Sequence, residues 1–352
     1  MKLFQPIFSV LVAAGLVSLA GCSSEPSDGA SVVSDSPSTS SLAAAKGNEP
    51  NYPEFYEIRI PDSYTPTGVY TPYIADAKGF YEEEGIKPVF TGVIGPGQHV
   101  AAVVAKDNDV GTLHVNRTIN GIAAGAPIRA VVADSETSEA FPHMEYVVLS
   151  DGPLKTPTDI IDKNIGLNAV GGCNEYIPYG ILKKLGIEEP QGTFEIVTVP
   201  SGNEELALRN GSIDVAGFHG HPLDVFNNGG VRVLFDDYDV WEAVGGATPW
   251  YFHEDFIRDN PEAVRRFVAA QSKTDKWINE NREEAKRIQA ERADIPVEKI
   301  TIMNYTNDGI IKEDSVQIWI DILKGYGELT VDLAAKDIYT NEFNVNSQDY
   351  RF

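Results

Sequence analysis

The feature that most constrains the fold of this chain is a regular alternation of strand-like and helix-like segments, which begins near residue 55. Short apolar runs such as "FYEIRIP" and "DVGTLH" predict strands, and segments with helical spacing such as "GQHVAAVVAKD" separate them. After "EYVVLS" the alternation starts a second time with "NIGLNA" and "EYIPYGILKKLG". Because parallel strands need helical crossovers, this order predicts an α/β fold with parallel-rich sheets covered by helices.

One helix-turn-strand pattern occurs twice in the chain, 105 positions apart. The segment "NDVGTLHVN" has its counterpart in "IDVAGFHGHP", so that Asp109 corresponds to Asp214 and His114 to His219. This echo predicts two α/β units of similar design, each ending a strand in a loop with a histidine at its start. Ligands of open α/β sheets bind beyond the carboxyl ends of the strands, so both histidine loops are expected to face a binding site.

The composition indicates an acidic globular protein. A length of 352 residues favours two lobes, and a hydrophobic content of 42% argues against wholesale disorder. The formal net charge of −24 repels phosphate backbones and anionic membrane surfaces, so nucleic acid is not an expected partner. The Gly-rich loops "GPGQ" and "GGCNEY" fit neither the dinucleotide fingerprint nor the P-loop.

The first 50 residues are predicted to carry targeting information. Residues 1–21 combine a lysine with a short apolar stretch, which is typical of a signal peptide. This stretch ends in "LAGC", which resembles a bacterial lipobox, so we expect Cys22 to be lipidated (palmitate) and to become the mature N-terminus. An ordinary secretory signal with a chance cysteine is the alternative. Residues 22–50 are dense in Ser, Pro, Asp and Gly and predict a flexible tether.

Five stretches, among them "GFYEEEGIKPVF", "IAAGAPIRAVVA" and "NGSIDVAGFHGHP", resemble the solute-binding proteins of ABC importers. The branch in question binds nitrate, sulfonates, taurine and thiamine precursors, and the resemblance runs from about residue 55 to 325. It implies a two-lobed periplasmic-binding-protein fold (type II-like) with two crossing strands and a ligand cleft between the lobes. Lobe 1 would comprise residues 51–145 plus 246–352, and lobe 2 residues 146–245.

The resemblance also implies the role of the protein. A monomeric extracytoplasmic protein, held at a bacterial membrane only by its N-terminal lipid, would capture a solute by cleft closure and deliver it to an ABC permease. Neither a cofactor nor an enzymatic activity is expected. A cysteine beside a histidine is typical of nucleophile–base pairs. An enzymatic activity that depends on Cys173 is therefore the minor alternative.

The residues expected to contact the solute lie in the loops that follow the strands. These candidate ligand-binding residues are Tyr70, Thr71, Gln98, His114, Asn116, Cys173, Asn174, Glu175, Tyr176, His219 and His221. Arg117 is the one fixed cation expected beside them, and an unpaired buried anion would be costly. The loops therefore predict a planar solute, neutral or amine-bearing, for example a thiamine-precursor-like heterocycle. Glu175 would accept its hydrogen bond, and Tyr70 and Tyr176 would stack on it.

Two other ligand classes are left open by the same residues. The family that the chain resembles includes proteins that bind sulfonate or nitrate anions. Alternatively, His114, Cys173, His219 and His221 could converge on a metal ion or a metal chelate, because imidazole and thiolate are ligands of Zn²⁺ and Fe. A dense ligand motif such as HExxH or CxxC does not occur in the sequence.

Overall fold

The computed structural model describes residues 52–352, and the expectations for the signal peptide, Cys22 and the tether lie outside these residues. The strands are β1 (Tyr56–Asp62), β2 (Ile86–Val93), β3 (Val110–Thr112), β4 (Ile128–Glu136), β5 (Met144–Leu149), β6 (Asn164–Leu167), β7 (Glu195–Thr198), β8 (Val215–His219), β9 (Val231–Asp236), β10 (Thr248–His253) and β11 (Asn304–Tyr305). The helices are α1 (Thr71–Ala77), α2 (Phe80–Glu83), α3 (His99–Val104), α4 (Val115–Ala123), α5 (Cys173–Lys184), α6 (Glu204–Arg209), α7 (Leu223–Asn227), α8 (Asp237–Trp241), α9 (Glu254–Asp259), α10 (Pro261–Glu280), α11 (Arg282–Ala293) and α12 (Glu313–Gly325).

Among residues 52–352 the strands form two sheets and one strand pair. The sheet orders are β11-β4-β10-β3 and β7-β6-β8-β5-β9, and β1 pairs with β2. Strand β6 is parallel to β7 and β8, and β1 is parallel to β2. In contrast, β10 runs antiparallel to β3 and β4, β11 antiparallel to β4, and β5 antiparallel to β8 and β9. The α/β class is confirmed; the five-stranded sheet is mixed and the four-stranded sheet is antiparallel, so the sheets are less parallel than expected.

Strands β5 and β10, which run antiparallel to both of their neighbours, each follow a connection from one sheet to the other. Residues 137–143 lead from β4 into β5, and residues 237–247 lead from β9 into β10. An apolar pattern identifies a buried strand but carries no information about its direction, so the sequence could not show this arrangement.

The 105-residue echo corresponds to a repeated set of hydrogen bonds. Asp109 Oδ2 accepts from the backbone N–H of Arg59 at 2.8 Å, and Asp214 Oδ2 accepts from the backbone N–H of Asn164 at 2.9 Å. In return, the N–H of Asp109 donates to the carbonyl of Arg59, and that of Asp214 to the carbonyl of Asn164. Arg59 and Asn164 are themselves 105 positions apart. The two units are therefore built alike at this point, and the loops with His114 and His219 leave equivalent strands.

Helix α12 supports the region between the two sheets. It buries an apolar stripe of residues that recur at helical spacing, Val316, Trp319, Ile320 and Leu323. The fully buried Trp319 donates its indole N–H to the carbonyl oxygen of Gly245 at 3.0 Å, and its ring lies 4.5 Å from that of His114. The helix thus fixes the 237–247 connection and one wall of the site described below.

We propose that the two larger sheets mark the two lobes expected from the sequence, residues 51–145 plus 246–352 and residues 146–245. One buried cluster contains side chains from both parts, for example Ile119, Tyr146 and Trp319, so their cores are continuous at the crossing.

None of the helices in residues 52–352 has both the length and the apolar character required to cross a bilayer.

Candidate functional site

A cavity of about 250 Å³ opens at the carboxyl ends of the strands in both units. Its lining takes residues from segments 62–71, 112–117, 168–174, 201–205 and 217–225, which follow β1, β3, β6, β7 and β8. This is the edge at which ligands bind in open α/β sheets. The volume is sufficient for a small organic molecule.

Six of the expected residues line this cavity: Tyr70, Thr71, His114, Cys173, Asn174 and His219. Thr71 is buried and donates its hydroxyl to Asp134 at 2.8 Å. The hydroxyl of Tyr70 donates to the carbonyl of Pro61 at 2.7 Å, and its ring packs on Trp250, so this tyrosine is held by the protein itself.

Asn174 shapes the Gly-rich loop that precedes α5. Its amide nitrogen donates to Asn168 Oδ1 at 3.1 Å and to the carbonyl of Ala169 at 3.0 Å. A Cβ on Gly172 would lie 2.8 Å from Asn174 Oδ1 and 3.3 Å from an Arg117 nitrogen, so only glycine fits there without displacing these side chains.

The other five expected residues, Gln98, Asn116, Glu175, Tyr176 and His221, lie outside the lining formed by residues 52–352. Glu175 Oε2 accepts from the backbone N–H of Gly171 at 2.7 Å, and Asn116 donates to the carbonyl of the same residue at 3.2 Å. Both side chains therefore hold the loop before α5. The placement of Glu175 corrects the expectation that its carboxylate faces the solute.

Tyr176, Gln98 and His221 are also engaged elsewhere. Tyr176 is buried beneath α12, with its ring 6.0 Å from that of Trp319, because it occupies the inner face of α5. Gln98 is exposed, and its Oε1 accepts from the N–H of Gly95 at 2.9 Å. His221 Nδ1 lies 2.9 Å from Glu145 Oε2, and this pairing raises the pKa of the imidazole.

Four histidines line the cavity: His99, His114, His143 and His219. Burial lowers the pKa of His99, His114 and His219 to about 4, and it lowers that of His143 well below its ordinary value. All four imidazoles are therefore uncharged at neutral pH and offer one N–H donor and one lone pair each. The sequence did not identify His143, because it lies in the 137–143 connection and not directly after a strand.

Cys173 is the first residue of α5 and lies among these histidines. Its Sγ is 3.4 Å from His143 Nε2 and 3.9 Å from His219 Nε2. Burial raises the pKa of the thiol to about 12, so it is protonated at neutral pH. The ligand atoms of His114, His143 and Cys173 all lie within 4.8 Å of one another. Of the four residues in the metal hypothesis, His114 and Cys173 belong to this group, and His143 is its third member in place of His219 and His221.

The charged side chains of the cavity wall are mainly acidic. The carboxylates are Asp62, Asp134, Glu204, Glu205 and Asp224, and the cations are Arg117 and Lys299. Arg117 already donates to the carbonyl of Val170 at 2.9 Å. Lys299 is a second cation that the loop analysis did not identify, because it lies after α11, far along the chain.

The arrangement of two sheets, two connections between them and a cavity at the strand ends is the periplasmic-binding-protein fold. A family model described as NMT1/THI5 like matches residues 67–285. The chain belongs to this family. A search of curated protein sequences gives no significant match.

Solved structures share this fold at low sequence identity. The alkanesulfonate-binding protein of Xanthomonas axonopodis pv. citri, bound to MOPS, is 14% identical, with a TM-score of 0.65 over 81% of this chain and 98% of that one. A zinc-bound ligand-binding component of an ABC-type import system from Staphylococcus aureus is 14% identical, with a TM-score of 0.65 over 83% and 99% of the two chains. The desulfurization enzyme DSZB is 15% identical, with a TM-score of 0.57 over 81% and 97%.

Proposed function

We propose that this chain is the lipid-anchored, extracytoplasmic solute-binding component of an ABC importer. In this role the cavity holds a small planar organic solute, neutral or amine-bearing, until a permease accepts it. The observation that carries the proposal is the cavity at the strand ends of both units, in a chain of the NMT1/THI5-like family. Because both units contribute contacts, a solute in this cavity stabilises the closed arrangement, which is the basis of capture.

The charges of the cavity wall support a solute that is not a strong anion. Five carboxylates face two cations, and burial keeps the imidazoles of the wall uncharged. A sulfonate or nitrate would have to be paired with Arg117 or Lys299, whereas neutral or amine-bearing groups find acceptors throughout the wall. The proposed solute therefore differs in class from the alkanesulfonates for which the Xanthomonas protein is named.

Native mass spectrometry of gently purified full-length protein tests the proposal directly. We expect a retained organic molecule, released on denaturation and identified by its mass. Calorimetry then compares an aminopyrimidine with nitrate and an alkanesulfonate as probes. Tight binding of an anion, with no binding of the aminopyrimidine, would contradict the proposed solute class. Chemical conversion of the retained molecule by the purified protein would show instead that the protein is an enzyme.

Tyr64 is expected to provide aromatic surface to the solute. It lines the cavity, and its ring packs edge-on against His99 at 6.0 Å. A stacking contact contributes about 0.5–1.5 kcal/mol, so Tyr64→Ala is expected to weaken binding by about two- to thirteen-fold. Tyr64→Phe keeps the ring and should bind within about two-fold of wild type, as should Glu175→Gln outside the lining. Equal affinity of Tyr64→Ala and Tyr64→Phe would remove Tyr64 from the site.

Lipid attachment at Cys22 is tested separately from solute binding. Cys22→Ala is expected to abolish lipidation and to move the protein from the detergent phase to the aqueous phase in a phase-partitioning assay. Solute binding should stay unchanged, because the substitution does not alter the cavity. Persistent partitioning of Cys22→Ala into detergent would show that the anchor lies elsewhere.

A further inference from the structure

We propose that His114, His143 and Cys173 form a binding site for a soft divalent metal ion in the wall of the cavity. The three residues come from three separate segments, and each is less than a tenth exposed. One ligand atom from each lies within 4.8 Å of the other two. This inference rests on the proposed function in so far as it concerns the same cavity, and it adds a metal to the recognition of the solute.

The local geometry is close to that of a tetrahedral site. Bond lengths of about 2.0–2.1 Å to nitrogen and 2.3 Å to sulfur place the ligand atoms of Zn²⁺ about 3.3–3.6 Å apart. The separation of 3.4 Å between Cys173 Sγ and His143 Nε2 already meets this value. The ligand atom of the third residue, His114, lies within 4.8 Å of the other two, so a rotation of its side chain is needed to bring it to this separation.

The hydrogen bonds around His114 orient it as a metal ligand. Its Nε2 lies 2.8 Å from the carbonyl oxygen of Gly245, which can only accept, so the proton is on Nε2. The lone pair is then on Nδ1, which caps α4 by accepting from the backbone N–H of Asn116 at 3.4 Å and lies 3.1 Å from Asn116 Oδ1. A metal ion at Nδ1 would take the place of these contacts. A backbone carbonyl that fixes the other nitrogen is the usual second partner of a metal-binding histidine.

His143 has a buried ring nitrogen that the protein alone does not satisfy. It is 5% exposed, and its Nδ1 has no hydrogen-bond partner among residues 52–352. Its ring lies between those of His114 and His219, with centroids 5.2 and 5.3 Å away. A buried polar atom without a partner is costly. The other ring nitrogen, Nε2, faces Cys173 Sγ at 3.4 Å and is the atom available to a metal ion.

The ligand set selects the class of metal. Two imidazoles and one thiolate favour Zn²⁺ and its late transition-metal neighbours over Mg²⁺ and Ca²⁺, which prefer oxygen. Binding replaces the thiol proton of Cys173 by the metal, and this proton is released to solvent. All three residues line the cavity, so three protein ligands leave a coordination position that a donor atom of the solute can occupy.

Metal titration of the full-length protein, stripped with a chelator, tests this site. Co²⁺ is expected to bind with a sulfur-to-metal charge-transfer absorption, and Zn²⁺ is expected to displace it. Cys173→Ser should abolish this absorption, and Cys173→Ser and His143→Gln should each weaken Zn²⁺ binding by about a hundred-fold or more. His221→Gln is the matched control, since it removes an imidazole outside the lining, and it should bind within about two-fold of wild type. Cys22→Ala, which removes the other cysteine, should retain the absorption.

The outcomes separate this inference from the proposed function. Co²⁺ binding without the sulfur band, or unchanged Zn²⁺ affinity in Cys173→Ser, overturns the metal site. If an organic solute then binds the stripped protein with the same affinity in the presence of a chelator, the proposed function stands alone. If Zn²⁺ binds as expected while no organic molecule is retained with or without it, the metal site stands and the proposed solute class fails.

Discussion

Replacing Gly246 by alanine is expected to lower the free energy of unfolding by about 3 kcal/mol. Gly246 is buried in the 237–247 connection, where the two connections between the sheets meet. An added Cβ would lie 2.0 Å from Thr137 Oγ1, 2.8 Å from the backbone nitrogen of Thr137 and 2.9 Å from the Cβ of His143. The Thr137 hydroxyl is held by a hydrogen bond to the carboxylate of Asp237. A rotation of one side chain cannot relieve these contacts, so the 137–143 segment has to move.

Urea unfolding at neutral pH measures this effect, with Gly97→Ala as the matched control. A Cβ on Gly97 meets no atom within 4 Å, and Gly97 is exposed in the cavity loop before α3. Its substitution should change the free energy of unfolding by less than about 0.5 kcal/mol. Because His143 lies in the displaced segment, Gly246→Ala should also weaken binding in the cavity. A stability of Gly246→Ala equal to that of Gly97→Ala would show that the connections are looser than this packing implies.

The repeated pattern around Asp109 and Asp214 made much of this fold predictable. The pattern predicted two similar units because the aspartate, the small residues of the turn and the following strand together form one local structure, which occurs in each unit. The hydrogen bonds to Arg59 and Asn164 show what that structure is. The directions of β5 and β10 were not predictable, because burial depends on the alternation of side chains and not on strand direction.

Part of the candidate site was predictable because the loops that follow strands supply it, including Tyr70, Thr71, Cys173 and Asn174. His114 and His219 follow this rule and line the cavity, whereas His143 reaches it from a connection between sheets. His221 is two residues beyond the end of β8, and its ring pairs instead with Glu145 on the neighbouring strand β5. The sequence shows which side chains leave a sheet edge. It does not show which of these side chains pair with another protein group and therefore do not reach the cavity.

A buried pair of carboxyl groups, Asp134 and Asp275, is expected to make the protein less stable as the pH rises. Burial raises the pKa of Asp134 to about 6, and burial together with the neighbouring Asp134 raises that of Asp275 well above its ordinary value. Gln271 donates to both carboxyl groups, at 2.9 and 3.1 Å. Tyr81 and Tyr305 are titratable groups beside the pair, and burial together with the two carboxyl groups raises the pKa of both tyrosines well above its ordinary value.

The direction of the pH dependence follows from proton binding. Both groups keep their protons in the folded protein at pH values at which the unfolded chain, with an ordinary pKa of 3.8, has released them. The stabilisation is therefore complete below about pH 4 and is lost as the pH rises through about 6 and beyond, by up to about 1.4 kcal/mol per pH unit for each group. An asparagine at position 275 stays neutral in both states. Its amide can accept from Gln271 and donate to Asp134, so the contacts are preserved.

Asp275→Asn is thus expected to be more stable than wild type by about 2 kcal/mol at pH 8, and to differ little from it at pH 4. Urea unfolding at the two pH values and constant ionic strength measures this change. Asp332→Asn is the control, because Asp332 is exposed and pairs only with Lys324 at 3.0 Å; it should follow the wild-type pH profile within about 0.5 kcal/mol. The decisive quantity is the difference between the two pH values in each variant. If Asp275→Asn loses as much stability between pH 4 and 8 as wild type does, then Asp275 is ionised in the folded protein, and the acidic pair must be neutralised by a group other than its own proton.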